Sequence, residues 1–236
     1  MQGARRIAID GPAGSGKSTI GEQLARQLGY LYVDTGAMYR AVAWLAGQEG
    51  VDVGDGAELG RLARRAEIVI SRPQIADGRQ YTVTVNGRDV TWDIRSSAVT
   101  RAVSPVSSHP EVRAVLIAQQ RAMARQGSIV MVGRDIGAVV LPDAELKLYL
   151  TASLEERARR RYSELLERLG EHNPALPSFA EVMDDIRQRD NVDHDNMQPA
   201  RDAIVVVTDH LSIQQVLDTI YTYVENNHET GSQSHG

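Results

Sequence analysis

The stretch Gly11-Pro12-Ala13-Gly14-Ser15-Gly16-Lys17-Ser18 decides the fold class of this chain. Its spacing is that of a P-loop, in which backbone N–H groups surround phosphate oxygens, the lysine reaches the β- and γ-phosphates and the serine binds magnesium. The stretch directly follows an apolar run, Ile7 to Asp10, and opens a helical pattern from Lys17 to Leu28. The positive end of that helix also faces the phosphates, which favours this interpretation over a glycine-rich structural turn. The sequence therefore predicts a binding site for the phosphates of a nucleoside triphosphate.

Length, composition and charge are those of an ordinary globular protein. The chain has 236 residues, no cysteine and a formal net charge of −5. Without cysteine it has no disulfides, thiolate metal sites or cysteine nucleophiles, and we expect a cytoplasmic protein. The first apolar run is too short for a signal peptide or a membrane span. An acidic chain does not offer the broad basic surface that nonspecific nucleic-acid binding needs, so we expect no nucleic-acid partner and no membrane partner.

Five nearly continuous apolar runs predict an α/β fold with a parallel sheet, because strands that are buried on both faces do not alternate. The runs are Ile7 to Ile9, Leu31 to Val33, Ile129 to Val132, Leu146 to Leu150 and Ile204 to Val207. Helical patterns separate most of them; one ends at Gly29, and another begins at Pro110 and ends at Gly127. Three later helices begin with the spacing of a capping box, in the pairs Ser153 with Glu156, Ser178 with Glu181 and Ser212 with Gln215.

Residues 67–91 follow a different pattern. Thr82-Val83-Thr84-Val85 alternates, and Asn86-Gly87 favours a tight hairpin turn. We expect a small antiparallel insert there, inside a core formed by residues 1–66 and 92–224. The polar residues 225–236 predict a disordered tail.

Two arginine clusters flank a polar stretch with prolines, Gly170 to Ser178. The first contains Arg157, Arg159, Arg160 and Arg161, and the second contains Arg187 and Arg189. Clustered arginines in a negative chain indicate a small anion that is held locally, and we expect a mobile helical lid at residues 155–200. Alternatively, the first cluster only forms solvated ion pairs with Glu155 and Glu156.

Two further strand ends carry arginine. Parallel strands bring the residues that follow them to one edge of the sheet, so Asp34 to Arg40 and Gly133 to Gly137 are expected beside the P-loop. Taken alone, the first of these segments rather favours a capped helix with Tyr39 in the core and Arg40 in solvent. A P-loop occurs in many enzyme classes, but this chain has no Asn-Lys-x-Asp segment for guanine and is short for a motor, which favours a small kinase.

Together these segments resemble the bacterial cytidylate kinases. The resemblance rests on Gly-Pro-Ala-Gly-Ser-Gly-Lys-Ser-Thr, Asp-Thr-Gly-Ala-Met-Tyr-Arg, Gly-Arg-Asp-Ile-Gly and the late Arg189-Asp190 with Asp193, collinear from about Ile7 to Leu217. It implies the P-loop nucleoside monophosphate kinase fold: a five-stranded parallel sheet, helices on both faces and a small antiparallel β insert that binds the monophosphate. It also implies transfer of the γ-phosphoryl group of ATP, with Mg²⁺, to CMP or dCMP; we expect a monomer whose partners are these small molecules.

The resemblance also assigns site residues. ATP would contact Gly11, Pro12, Ala13, Gly14, Ser15, Gly16, Lys17, Ser18 and Thr19, with Ser18 binding Mg²⁺ through ATP. Charge at the transferred group would be neutralised by Lys17, Arg134, Arg157, Arg161 and Arg189. The acceptor would contact Thr35, Tyr39, Arg40, Ser104, Arg113, Arg134, Asp135, Arg189 and Asp193. Asp135 suits cytosine, whose exocyclic amino group is a donor where uracil has a carbonyl; Ser104 and Arg113, each taken alone, rather favour a cap or a solvated helix residue.

Two positions depart from that family. Val132 precedes Gly-Arg-Asp where the family usually has an acidic residue, which leaves Asp34 as the nearest candidate for a magnesium carboxylate. Asn196 stands where the family tends to have arginine, before a shortened loop to Pro199. A metal site at Asp193-His194-Asp195 is disfavoured, because adjacent side chains point in different directions.

Two functional alternatives stay open. The first is a P-loop kinase for another acceptor, such as UMP, AMP or a metabolite. The second is a nucleotide-binding regulatory module that keeps the fold but lacks transfer, which Val132 and Asn196 would fit.

Overall fold

The structure is a computed structural model and describes residues 5–193 and 197–230. Its strands are β1 (Arg6–Asp10), β2 (Leu31–Asp34), β3 (Ile68–Ser71), β4 (Thr82–Val85), β5 (Arg88–Asp89), β6 (Ile129–Val132), β7 (Leu146–Thr151) and β8 (Ile204–Val207). Its helices are α1 (Lys17–Leu28), α2 (Thr35–Glu49), α3 (Gly56–Arg65), α4 (Ser97–Ser108), α5 (Pro110–Ala124), α6 (Leu154–Leu169), α7 (Phe179–Asp193) and α8 (Ile213–Thr230). A 3₁₀ helix, Asp93–Arg95, precedes α4, and a π-helical turn, Ile136–Val140, follows β6.

The five apolar runs form one parallel sheet, as predicted, in the order β2-β6-β1-β7-β8. β1 pairs with β7 so that Asp10 lies opposite Tyr149, and β7 pairs with β8 so that Leu148 lies opposite Ile204. A second, antiparallel sheet has the order β3-β4-β5. The predicted α/β fold with a small antiparallel insert is therefore confirmed.

Internal contacts divide the described chain into two compact units. The P-loop unit runs as far as Leu24 and resumes at Val132, and the insert unit is Ala25–Met131. The predicted insert, residues 67–91, lies inside the larger insert unit. The predicted division into core, lid and insert follows other boundaries and stays a prediction.

The P-loop unit is held together by buried aliphatic side chains. Ile7 and Ile9 of β1 and Leu148 of β7 have at most 1% of their surface exposed. Each such side chain contributes about 1.5–3 kcal/mol when it is fully buried. Helices α6 and α7 share a separate cluster, formed by Ala158, Leu165, Val182 and Ile186. This cluster fixes the two arginine-bearing helices against each other.

In the insert unit, α2 packs on α4 and α3 packs on α5. The hairpin of β4 and β5 turns at Asn86 and Gly87, whose φ angles are 50° and 78°. Positive φ at both central residues is what Asn-Gly favours, so the predicted turn is confirmed.

The helix starts follow the predicted caps with one exception. Two capping boxes are complete: Ser178 with Glu181, and Ser212 with Gln215. In each box the serine hydroxyl accepts the backbone N–H of the partner residue, and the side chain of that partner accepts the backbone N–H of the serine. The hydroxyl of Ser153 accepts the Glu156 N–H at 3.2 Å, but the Ser153 N–H donates to Asp209. The carboxylate of Glu156 is bound by Arg159 and Arg160 instead, so this box is only half formed.

The last described helix reaches into the range predicted as a disordered tail. Helix α8 continues through Glu225 as far as Thr230. Residues 231–236 lie outside the described residues, and the tail stays a prediction.

No helix within the described ranges has the length and apolar character needed to cross a bilayer.

Candidate active site

The P-loop joins β1 to α1, as predicted. Gly11 has a φ of 144°, and a Cβ atom at this position would overlap the carbonyl oxygen of Leu150. Only glycine fits this close approach to β7. The Nζ atom of Lys17 donates to the carbonyl oxygen of Pro12 at 2.7 Å, so the ammonium group lies over the loop. Backbone N–H groups at the start of α1 and this ammonium group provide an anion site.

A cavity of about 610 Å³ adjoins the P-loop and belongs entirely to the P-loop unit. Its lining includes Ala13 to Ile20, then Arg160, Arg161, Arg189 and Thr208, and the apolar side chains of Leu211, Ile213 and Val216. Cations and N–H groups suit phosphates, and aliphatic side chains suit the face of a base. The cavity therefore has the chemistry of a nucleotide site.

Arg160 is held in place at this cavity. Its guanidinium donates to the hydroxyl of Thr208 at 3.0 Å, to the carbonyl of Thr208 at 2.6 Å and to Glu156 at 3.1 Å. Thr208 is buried, and its hydroxyl also lies 3.4 Å from the carbonyl oxygen of Ser15. Arg160 is thereby linked through Thr208 to the backbone of the P-loop. The sequence singled out Arg160 only as a member of a cluster and did not single out Thr208.

Arg157 and Arg161 belong to the same predicted lid cluster but lie differently. Arg161 lines the cavity and pairs with the exposed Glu164. Arg157 is buried and binds Asp190 through two hydrogen bonds, of 3.0 and 2.6 Å. It also donates to the carbonyl of Ala13 in the P-loop at 3.1 Å. The alternative of a merely solvated cluster therefore does not fit Arg157.

The segment Gly133 to Gly137 is attached to the end of β1. Arg134 donates to the carbonyl of Gly11 at 3.3 Å and contacts the Sδ atom of Met197 at 3.5 Å. Asp135 is largely buried, with 9% of its surface exposed. Arg134 therefore lies beside the first glycine of the P-loop, and Asp135 follows it directly in the chain.

Asp10, which sequence reasoning missed, makes the tightest link to this segment. Its two carboxylate oxygens accept the backbone N–H groups of Ile136 and Gly137, each at 2.7 Å. Burial, above all, raises the pKa of Asp10 to about 6, while the two amides and the Lys17 ammonium act in the opposite direction. The sequence feature that could have identified Asp10 is its position at the end of a strand, directly before the P-loop.

The insert unit contains the magnesium candidate Asp34 and five predicted acceptor residues, Thr35, Tyr39, Arg40, Ser104 and Arg113. Asp34 caps α2 by accepting the N–H of Gly36 at 3.0 Å, and Thr35 is buried. Tyr39 is half-buried in α2. Arg40 donates to the hydroxyl of Thr100 at 3.0 Å and to the carbonyl of Ile94 at 3.4 Å. The capped helix is thus present, but Arg40 is half-buried and hydrogen-bonded rather than solvated.

An aromatic group lies near Asp34 and Arg40 in the same unit. Tyr81 is buried, and its ring lies 5.7 Å from that of Tyr32. The guanidinium of Arg95 lies 5.6 Å from the Tyr81 ring centre. Burial and the charge of Asp34 raise the pKa of Tyr81, while Arg95 and Arg40 act against that rise. The sequence offered no motif for this cluster.

Three other predicted acceptor residues lie on helices α4, α5 and α7. Ser104 is exposed on α4, and Arg113 is half-buried in the first turn of α5. Asp193 ends α7, and its side chain is not described. His194 and Asp195, which complete the disfavoured metal triplet, lie outside the described residues, as does Asn196. Within the described ranges, no group of three or more His, Cys, Asp or Glu side chains could hold a metal ion.

Comparison with known proteins shows the family of this chain. The family model described as "Cytidylate kinase" matches residues 7–226, which is most of the chain. The chain belongs to the cytidylate kinase family. Members of this family are nucleoside monophosphate kinases that use ATP as phosphoryl donor.

Individual relatives carry the same description. A cytidylate kinase from Roseiflexus castenholzii is 50% identical over 212 residues, which cover 89% of each chain. A cytidylate kinase from Desulfitobacterium hafniense is 46% identical over 230 residues, covering 96% of this chain and 95% of the relative. Among solved structures, the shikimate kinase from Acinetobacter baumannii in complex with shikimate is 14% identical, with a TM-score of 0.46 and coverage of 94% of this chain and 93% of that one.

Proposed function

We propose that this protein transfers the γ-phosphoryl group of ATP to CMP or dCMP, which gives ADP and CDP or dCDP. The acceptor phosphate oxygen attacks the γ-phosphorus atom as the bond from that atom to the β-phosphate oxygen breaks. The acceptor oxygen is already ionised near neutral pH, so the protein needs no general base, and its task is positioning and charge neutralisation. The observation that carries the proposal is the attachment of Arg134 to Gly11, which brings a predicted acceptor arginine to the P-loop.

On the donor side, the P-loop residues Gly11 to Thr19 would hold the triphosphate of ATP. Ala13 to Thr19 line the cavity, and the amides at the start of α1 suit phosphate oxygens. Lys17 would leave the carbonyl of Pro12 for the β- and γ-phosphates. Arg161 and Arg189, which line the same cavity, would neutralise the charge that spreads over the transferred group. Arg157 would support them, since its partner Asp190 is the chain neighbour of Arg189.

Magnesium would enter with ATP. Mg²⁺ prefers oxygen ligands and keeps several waters, so one hydroxyl and the phosphates suffice as a site. Ser18 lines the cavity and offers that hydroxyl, and the donor chemistry at the loop fits the ion. When bound, Mg²⁺ would neutralise charge on the β- and γ-phosphates. Asp34 stays our candidate for a nearby carboxylate, since it ends a strand of the same sheet.

On the acceptor side, Arg40 and Arg134 would hold the phosphate of CMP. Asp135, with Ser104 and Arg113, would bind the cytosine edge, because a carboxylate accepts the exocyclic amino group of cytosine and repels the carbonyl of uracil. Thr35, Tyr39, Arg189 and Asp193 would contact the sugar or the phosphate.

The same proposal covers the organisation of the chain. Residues 155–200 would act as a lid that excludes water, and residues 67–91 would belong to the monophosphate-binding region. We further propose a cytoplasmic monomer that binds these small molecules and no nucleic acid.

A coupled assay of ADP release tests the acceptor. CMP, dCMP, UMP, AMP and shikimate are compared at equal concentrations with saturating MgATP, and CMP and dCMP should give the highest kcat/KM. Preference for UMP or AMP would contradict the assignment. Direct detection of CDP separates transfer from regulation: intact ATP binding without any CDP at high enzyme concentration would identify a nucleotide-binding regulatory module.

A further inference from the structure

Asp10 is a buried carboxylate to which the proposed reaction assigns no role. It is the last residue of β1, directly before Gly11, and 4% of its surface is exposed. A buried charge is costly unless it is paired and hydrogen-bonded, so a residue kept at such a place needs an explanation.

The partners of Asp10 lie in the segment that carries the proposed acceptor residues. Oδ1 accepts the N–H of Ile136 and Oδ2 accepts the N–H of Gly137, both at 2.7 Å. These residues begin the π-helical turn Ile136–Val140, and Asp135 before it makes no side-chain cap. Asp10 therefore caps this turn from the neighbouring part of the chain and satisfies two N–H groups that would otherwise lack acceptors.

Two further hydrogen bonds join the end of β1 and the first P-loop residue to the segment that begins at Gly133. The N–H of Gly133 donates to the carbonyl of Ile9 at 3.0 Å, and Arg134 donates to the carbonyl of Gly11. Asp10 lies between Ile9 and Gly11 in the chain. It contributes two hydrogen bonds from its carboxylate, and such charge-assisted bonds are stronger than neutral ones.

Charged and titratable groups approach Asp10 from each neighbouring element. Lys17 on α1 attracts its charge, and Asp135 repels it. On β7, Tyr149 is its register partner, and the stem of Lys147 lies against Gly137, where a Cβ atom would be 3.3 Å from it. The ammonium of Lys147 points elsewhere, to Pro142 and Asp202. Lys17 is therefore a cation whose charge favours the ionised form of Asp10.

We propose that Asp10 is a positioning residue for phosphoryl transfer. By binding the amides of Ile136 and Gly137, it fixes Arg134 and Asp135 relative to the P-loop lysine. Both of its oxygens are engaged by backbone, so it acts through these residues and touches neither substrate. The inference rests on the proposed function, since it assumes that the acceptor is held by Arg134 and Asp135.

The decisive variant is Asp10→Asn. Asparagine has the same shape, but only its carbonyl oxygen can accept an N–H, and its amide group would face the second N–H as donor against donor. We expect kcat to fall by about 30- to 100-fold, because small misplacements of reacting groups have effects of this order. The dissociation constant for MgATP, measured by calorimetry without acceptor, should change by less than about threefold, because the phosphate site is formed by other residues.

Two further variants complete the experiment. Gly137→Ala adds a methyl group 3.3 Å from the Lys147 stem, which is tight, and 3.4 Å from Oδ2 of Asp10, which is an ordinary contact distance, so it crowds the turn that Asp10 caps while the carboxylate is kept. It should lower kcat in the same direction. Asp55→Asn is the matched control, because Asp55 caps α3 by accepting the Glu58 N–H at 2.9 Å and takes no part in the proposed site. It should leave kcat and MgATP affinity unchanged.

Hydrogen exchange of residues 133–140 provides a readout that does not depend on transfer. Faster exchange in Asp10→Asn together with the fall in kcat supports the proposal. Unchanged exchange would show that Asp10 does not hold this segment, and faster exchange with unchanged kcat would show a merely structural role; either result overturns it. If the unmodified protein forms no CDP, the proposed function itself fails, whereas the exchange result still decides whether Asp10 holds the segment.

Discussion

Arg157 and Asp190 form a buried two-point ion pair that joins α6 to α7. Their hydrogen bonds measure 3.0 and 2.6 Å, and the two side chains are 7% and 24% exposed. The same guanidinium also donates to the carbonyls of Ala13 and Ala152, both at 3.1 Å. One arginine thus connects the two helices with the P-loop, which a planar guanidinium can do because its donors point in several fixed directions.

Replacing Arg157 by Met should therefore lower both stability and activity. Asp190 would be left as an uncompensated carboxylate, and we expect the free energy of unfolding to fall by about 3 kcal/mol, with a fall of at least about tenfold in kcat/KM for ATP. Urea denaturation and initial rates measure the two effects. Arg187→Met is the control, because Arg187 pairs with Asp184 on the surface of the same helix, at 53% and 70% exposure, and its loss should change neither quantity measurably. Equal behaviour of the two variants would contradict the role given to Arg157.

Lys17→Ala should abolish transfer while the protein stays folded. Its ammonium group donates a hydrogen bond to the carbonyl of Pro12, and water can replace this donor at the half-buried position. The loss of a cation at the transferred phosphate should lower kcat by at least about 100-fold. CDP formation and the thermal melting temperature are the two measurements. An active variant would refute the assignment of Lys17, and a variant that does not fold would show that the lysine is structural.

Asp135→Ala should relax the preference for cytosine. The ratio of kcat/KM for CMP to that for UMP should fall by about 10-fold or more, because the side chain that distinguishes an amino group from a carbonyl is removed. Asp93→Ala is a suitable control, since Asp93 is an exposed aspartate whose side chain pairs with Arg88. An unchanged CMP to UMP ratio in Asp135→Ala would refute its role as the cytosine reader.

The raised pKa of Asp10 predicts how its contribution to stability depends on pH. The value is about 6 in the folded protein against 3.8 ordinarily, so the folded state binds more protons than the unfolded state between these values. Stability from this group is therefore fully present below about pH 4 and is lost as pH rises through 6, with a total of about 3 kcal/mol. Between pH 4 and pH 7, the free energy of unfolding of Asp10→Asn should therefore rise by about 3 kcal/mol relative to that of the unmodified protein. Other groups titrate in both proteins and cancel in the difference; a difference that does not vary with pH would contradict the raised pKa.

Much of this protein can be predicted from local patterns. The P-loop, the five sheet strands and the Asn86-Gly87 turn depend on residues that are close in sequence, and glycine spacing, apolar runs and turn preferences report them directly. The start of α6 could not be predicted fully, because the partner of the Ser153 N–H is Asp209, which is distant in sequence.

The candidate site divides in the same way. Sequence alone determined the fold class, the position of the phosphate loop and, through several collinear motifs, membership of the cytidylate kinase family. Tertiary structure decided that Arg157 pairs with Asp190, that Arg160 is linked to the P-loop through Thr208, and that Asp10 caps the turn after Asp135. The physical reason is that a motif records which groups can bind an anion, whereas burial and distant hydrogen-bond partners decide which of these groups are already engaged within the protein.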